Sequence, residues 1–295
     1  MAKHDQALDL LSRVRSIEVK AKGLSEQVFA GQYHSAFRGR GMAFSEVRNY
    51  QVGDDVRDLD WNVTARYASP FVKVFEEERE LTMMLLIDLT ESTLFGGQHE
   101  SVKELMAEIS ATIAFSAMQN NDKIGAIFFS NQIELFIPPR SGKKHILHII
   151  RELLAFKPKG KSTDINVPLS YLSQTIKKRC TAFLISDFIQ TADNPYTQTL
   201  SLAGRKHDVI ALRIYEPQAA ELPKWGLTLM EDLEDETYTW VDTSDKKVRA
   251  TYKQNYLDQV EQCQRSCSMS AIDLIEISTG EDFTIALRKL FRHRS

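Results

Sequence analysis

No apolar run in this chain approaches the length needed to cross a bilayer, so no transmembrane helix is expected. The N-terminal stretch MAKHDQALDLLSRVRSIEVK alternates charge with apolar residues and has no secretory apolar core. Cysteine is scarce: Cys180, Cys263 and Cys267 are the three in 295 residues. An odd, sparse set argues against a disulfide framework and for reduced thiols in a cytoplasm. Cys263 and Cys267 have no second Cys or His pair near them, which favours packing on a helix over a zinc site. An excess of positive charge is missing as well. The formal net charge is −3, so no bulk basic field draws in nucleic acid or an anionic membrane. Low-complexity tracts and internal repeats are absent. Any contact with a membrane would pass through a partner.

What remains is an ordinary globular composition, 43% hydrophobic and 26% charged, with ample length for a core. From Leu81 onward it is arranged as alternating strands and helices. Runs typical of buried strands occur at 82–88, 123–130, 181–186, 208–215 and 271–277. Apolar stripes at helical spacing occupy 102–113, 142–156 and 165–176. Ser101 with Glu104 reads as a capping box. Residues 133–139 follow the second strand after only Asn131 and Gln132, which predicts a hairpin to an antiparallel edge strand ending at Pro138. Residues 216–246 are acidic and alternating, as in a hairpin-like insertion. A helix over 247–268 and a last helix from Asp282 complete the pattern. This alternation predicts an α/β fold with a doubly wound, mainly parallel sheet at 81–295. Residues 1–80 hold a short amphipathic helix over 5–16. A Gly-, Arg- and aromatic-rich stretch from 18 to 80 then reads as short strands and loops.

The first core strand ends in an acid with hydroxyls at every second position: Asp88, Thr90, Ser92. In open α/β sheets, ligands bind beyond the carboxyl ends of the strands. A carboxylate with two hydroxyls is part of an oxygen shell for a hard cation such as Mg²⁺. Read alone, the stretch is better explained by an acid capping a turn and hydroxyls solubilising a loop. Two other chemistries fit poorly. GKST at 160–163 lacks the earlier glycine of a phosphate loop, since position 155 is Ala155, and a helical stripe precedes it. A phosphohydrolase built on Asp88 would place a second acid where Thr90 stands. Three separated segments match better: Asp88, Thr90 and Ser92; Thr163 with Asp164 in a loop opening a helix; and Asp187 after strand 181–186. This ordered set resembles the metal-ion-dependent adhesion site of von Willebrand factor A domains. The resemblance implies Thr90, Ser92 and Thr163 as direct ligands of Mg²⁺ or Mn²⁺, Asp88 and Asp187 as outer-shell acids, and a partner carboxylate as the last ligand. Thr90 stands where that family usually has serine. It keeps the hydroxyl and adds a methyl, so a weaker fit rather than a loss is expected.

The N-terminal segment carries a second resemblance. Gly39, Gly41, Phe44, Arg48, Tyr50, Gly53, Asp54, Asp55, Arg57, Asp60, Trp61, Ala65 and Arg66 reproduce the hallmark of bacterial domain-of-unknown-function family fifty-eight. Leu59 replaces the usual isoleucine. The resemblance covers nearly the whole chain. It implies a von Willebrand factor A-like sheet with a small β-rich N-terminal unit. Such proteins are typically encoded beside MoxR-type AAA+ ATPases, which implies a role as adaptor or co-chaperone. Within 38–66, Asp54, Asp55, Asp58 and Asp60 are expected to pair with Arg48, Arg57 and Arg66.

The leading expectation is therefore a non-enzymatic, metal-dependent protein-binding module whose ATPase or client partner presents a carboxylate. The alternatives are a metal-assisted hydrolase using Asp88 and Asp187, and a metal-free scaffold with a vestigial site. Against the hydrolase, the sequence offers no His–Ser–acid set and no activated Cys. Of its seven histidines, only His99 lies near the candidate loops.

Overall fold

The helical period read over 5–16 runs further than expected: helix α1 spans Ala2–Phe29. Val14, Ile17, Ala21 and Val28 are buried along one stripe, spaced as one helical face requires. The charges between them hid that stripe in the sequence. They are ion-paired side chains, with Arg13 on Glu104 at 2.6 Å, Lys20 on Glu108 at 2.6 Å and Glu18 on Lys143 at 2.8 Å. Residues 18–29 are thus helix rather than the strands and loops expected there. A computed structural model describes residues 2–29, 42–67, 69–77, 81–90, 99–190, 195–232 and 237–294. The chain forms two compact units, Arg38–Leu81 and Met1–Phe37 with Thr82–Ser295, so α1 belongs with the sheet.

In the smaller unit, β1 (Met42–Asn49) pairs antiparallel with β2 (Phe71–Glu77), with a register shift between Phe44 and Glu46. Between them lies the short helix α2, Trp61–Tyr67. Arg48 grips Asp54 through two 2.7 Å hydrogen bonds, the bidentate geometry that makes such pairs strong. This contact, with an N–H from Gln51, holds the Asp54 carboxyl down at about 2. The other acids act differently from expectation. Asp55 accepts from the Arg57 N–H at 2.9 Å. Asp60 accepts from the Asn62 and Val63 N–H groups at 3.0 and 3.1 Å. They cap turns, which leaves Arg48–Asp54 as the one bidentate Arg–Asp pair among the described residues of 38–66.

The larger unit is built on β3 (Thr82–Asp88), buried from Met83 to Asp88. A strand apolar on both faces must lie inside a sheet covered on both sides. β3 pairs in parallel with β4 (Lys123–Phe129) and with β6 (Thr181–Ser186). Between these comes β5 (Ile133–Arg140), antiparallel on the edge beside β4. β5 continues through Pro138, where it was expected to stop. An outermost strand tolerates residues without N–H groups, and here the register shifts where they pair. On the other side of β6 lie β7 (Asp208–Tyr215) and β10 (Asp273–Ser278). The full order is β10-β7-β6-β3-β4-β5. Between β7 and β10 in the chain, β8 (Leu227–Asp232) and β9 (Thr237–Asp242) form the expected hairpin.

Helices cover both faces. α3 (His99–Gln119) begins before Ser101, so the expected capping box does not mark its start. α1, α3, α4 (Lys143–Ala155) and α8 (Phe283–Arg294) pack together on one side. α5 (Asn166–Thr175), α6 (Thr197–Lys206) and α7 (Lys246–Met269) line the other. There Leu169, Leu172, Leu200, Ala203, Cys263 and Cys267 bury Met84, Leu86 and Leu184 of the sheet. All three cysteines are buried free thiols. The architecture is the expected von Willebrand factor A-like one, a doubly wound, mainly parallel sheet with a small N-terminal β unit. Among the described residues no helix is long and apolar enough to cross a membrane.

Candidate metal site

The chain runs from β3 outward to β4 and β5, then returns to β6 on the other side of β3. The gap between the ends of β3 and β6 is therefore a topological switch point, where loops diverge and a crevice opens. Asp88 closes β3 and is fully buried. A buried carboxylate persists only if donors surround it. Oδ1 accepts from the Thr90 N–H at 3.2 Å and from Thr90 Oγ1 at 3.0 Å. Oδ2 accepts from Thr163 Oγ1 at 3.1 Å and from Ser186 Oγ at 2.6 Å. Thus Asp88, Thr90 and Thr163 meet as the sequence predicted. Asp187 lies beside them, half-buried, with Oδ1 accepting from the Ile189 N–H at 2.9 Å. Ser92 lies outside the described residues.

Thr163 reaches Asp88 because its loop is clamped. Glu134 on β5 accepts from the N–H groups of Lys159 and Gly160 at 3.0 and 2.7 Å, and from Ser130 Oγ at 2.8 Å. Burial acts to raise the Glu134 carboxyl, but these donors together hold it below the ordinary range. Gly160 passes so close to the β4–β5 turn that a Cβ there would sit 2.1 Å from Ser130 Oγ and 2.3 Å from Asn131 Oδ1. The glycine of the rejected phosphate-loop reading is thus needed for close approach. Asp164 then accepts from the Asn166 N–H at 2.9 Å and fixes the start of α5.

Thr90 Oγ1 and Thr163 Oγ1 lie 3.0 Å apart, hydrogen-bonded to each other with either able to donate, and each also lies within hydrogen-bond reach of Asp88. Two hydroxyl oxygens thus stand side by side above the carboxylate. Mg²⁺ holds oxygens at about 2.0–2.1 Å in an octahedron, so neighbouring ligands lie about 3.0 Å apart. The spacing of the two described hydroxyls matches that of neighbouring ligands around such an ion. No group of three His, Cys, Asp or Glu side chains able to hold a metal occurs among the described residues. Burial raises the Asp88 pKa despite hydrogen bonds from Ser186, Thr90 and Thr163. Burial, and then the charge of Asp88, push Asp187 up to about 7. Two carboxyls destabilised in this way are relieved by a nearby cation.

Two participants escaped sequence reasoning. Ser186 ends an apolar strand and carries no motif of its own in the sequence. Its hydroxyl bonds Asp88 and accepts from the Phe188 N–H at 3.0 Å. Arg213 on β7 pairs in register with Ser186. It is almost wholly buried and bonds Glu276 at 3.0 Å and the Tyr256 hydroxyl at 2.8 Å. Its guanidinium lies 4.6 Å from the centre of the Tyr215 ring, and its charge lowers the pKa of Asp187. A lone charge inside the run DVIALRIY was the available signal.

The profile of the family described as "Protein of unknown function DUF58" matches residues 46–262. An uncharacterized protein of Mycobacterium tuberculosis, Rv1480, is 29% identical over 227 residues, covering 76% of this chain and 71% of its own. The uncharacterized protein YeaD of Bacillus subtilis is 30% identical over 122 residues, covering 41% of this chain and 27% of its own. Among solved structures, the chain is similar to the conserved hypothetical protein BatB from Bacteroides thetaiotaomicron. That likeness has a TM-score of 0.48 at 13% identity, over 72% of this chain and 98% of BatB.

Proposed function

We propose, for a chain that belongs to the DUF58 family, that it is a metal-dependent protein-docking module rather than an enzyme. The observation that carries this reading is the pair of hydroxyl oxygens, Thr90 and Thr163 Oγ1, 3.0 Å apart above the buried Asp88 carboxylate. Thr90, Thr163 and Ser92 would hold Mg²⁺ or Mn²⁺, with Asp88 and Asp187 as outer-shell acids. When bound, the ion supplies a positively charged anchor for an incoming carboxylate, because a shell of neutral hydroxyls leaves much of its charge uncompensated. The protein's own part is positional. Asp88 holds the two threonine hydroxyls, Ser186 fixes Asp88, and Glu134 fixes the loop that carries Thr163.

The partner is a protein presenting Asp or Glu. The family resemblance supports a MoxR-type AAA+ ATPase or its client, with this chain as adaptor or co-chaperone. The deciding comparison uses the MoxR-type ATPase of the same organism. Its affinity is measured for wild type and Thr163→Ala, each with Mg²⁺ and with chelator. Tight binding in wild type with Mg²⁺ alone supports the reading, and equal affinities in all four arms overturn it.

Asp187 supports a second reading. A carboxyl that titrates at about 7 is poised for general acid–base work, as a metal-assisted hydrolase using Asp88 and Asp187 would need. Mg²⁺-dependent turnover of simple esters, abolished in Asp187→Asn, would favour it.

A further inference from the structure

The acidic insertion after β7 takes no part in the candidate metal site, yet it is firmly built. Gly226 adopts φ +85° to turn the chain into β8. Thr243, buried at the foot of β9, accepts from the Trp225 N–H at 2.9 Å and donates to the Gly226 carbonyl at 2.8 Å. Helix α7 roots the insertion. Arg249 donates to the Thr243 carbonyl, the Tyr252 hydroxyl to the Ala219 carbonyl, and Lys253 bridges to Glu221.

On this base the ribbon presents an apolar face to water. The register sets Leu227 opposite Asp242, Leu229 opposite Trp240 and Glu231 opposite Tyr238. Directly paired residues share a face, so Leu227, Leu229, Tyr238 and Trp240 point the same way. Their exposures are 66, 46, 62 and 63%, and the adjoining Trp225 is 72% exposed. A two-stranded ribbon gains little stability by itself. A cluster of exposed Trp, Tyr and Leu is the composition from which binding hot spots are made.

Charge indicates what covers this face. Residues 216–245 contain nine Asp and Glu against the single Lys224, whereas the whole chain carries only −3. A concentrated negative field repels phosphates and anionic lipid headgroups and draws in lysine and arginine. We propose that the Leu229/Trp240 face of the β8–β9 ribbon docks a Lys/Arg-rich amphipathic segment of a partner protein. Apolar side chains of that segment cover the tryptophans, and its cations meet acids of the insertion such as Asp242, which shares that face. The ribbon follows the carboxyl end of β7, and the candidate metal site lies at the carboxyl ends of β3 and β6. The proposal stands without that site.

The probe is a labelled, designed amphipathic peptide of leucine and lysine, titrated with the full chain and followed by fluorescence anisotropy. Trp240→Ala and Leu229→Ala should each weaken binding about ten-fold or more, with the thermal melt unchanged because both side chains are exposed. Salt should weaken binding, and the same peptide with glutamate for lysine should not bind. Wild type should bind the peptide equally with Mg²⁺ and with chelator, which separates this surface from the metal reading. The proposal is overturned if Trp240→Ala binds like wild type or if the glutamate peptide binds equally well. It is also overturned if the protein ignores the peptide and instead associates with phosphatidylcholine vesicles, or with a second copy of itself, through Trp240.

Discussion

Ser186, at the end of β6, donates a 2.6 Å hydrogen bond to Asp88 Oδ2 at the end of β3. Both side chains are fully buried. The bond joins the two strands that flank the switch point, and water cannot replace it without opening the sheet. Ser186→Ala should therefore cost about 1–3 kcal/mol, the range for removing a buried partner of a charged group. Urea unfolding measures this. A loss within experimental error would show that Asp88 is held by the threonines alone.

The Glu134 clamp makes a second prediction. Gly160→Ala forces a Cβ onto Ser130, itself buried and bonded to Glu134. The expected cost is about 1–3 kcal/mol. Glu134→Ala leaves the Lys159 and Gly160 N–H groups without their acceptor and should loosen Thr163 in the same way. Both variants should weaken Mg²⁺ binding in calorimetry although neither changes a proposed ligand. Wild-type Mg²⁺ affinity in both would detach the clamp from the site.

Acidity offers a third test, away from the metal. Burial first, then the charges of Lys206 and Arg179, depress His207 from 6.5 to about 4. The unfolded chain thus takes up a proton before the folded one does. The stability that neutral His207 contributes is present above about pH 6.5 and is lost as the pH falls toward 4, an effect on the order of 3 kcal/mol. His207→Leu should flatten this part of the stability profile relative to wild type. Parallel profiles would show that the imidazole is not the group responsible.

Asp187 titrates in the opposite sense. Its folded pKa is raised, to about 7, so its contribution to stability is present below about pH 4 and lost as the pH rises through 7. A cation favours the ionised form. The increase in melting temperature on adding Mg²⁺ should therefore be larger near about pH 8 than near about pH 6. Asp187→Asn should remove the difference.

Much of this was legible in the sequence because burial on both faces demands it. β3, β4, β6 and β7 are each six to eight residues long and almost wholly apolar, a pattern few other environments permit. Asp88, Thr90 and Thr163 were legible because their order along an α/β chain is informative. Other features depend on contacts that no local pattern carries. Helix α6 is ten residues long and buries only Leu200 and Ala203. The second half of α1 was masked by charges that find their partners on α3 and α4. Ser186 and Arg213 each sit as one polar residue in an apolar run, and only three-dimensional register shows what they face.

Helix α1 also bears on how the chain is synthesised. Its buried residues Val14, Ile17, Ala21 and Val28 pack with α3, α4 and α8, all of which leave the ribosome after residue 98. During translation the first helix must wait, its apolar stripe uncovered, while the segment 38–81 and the first core strand emerge. Its docking is therefore a late, long-range closure that spans the whole larger unit, and α8 at the far end of the chain completes its seat. A split protein made at residues 30–41 should accordingly reassemble in trans, with the N-terminal peptide adding itself to a preformed sheet.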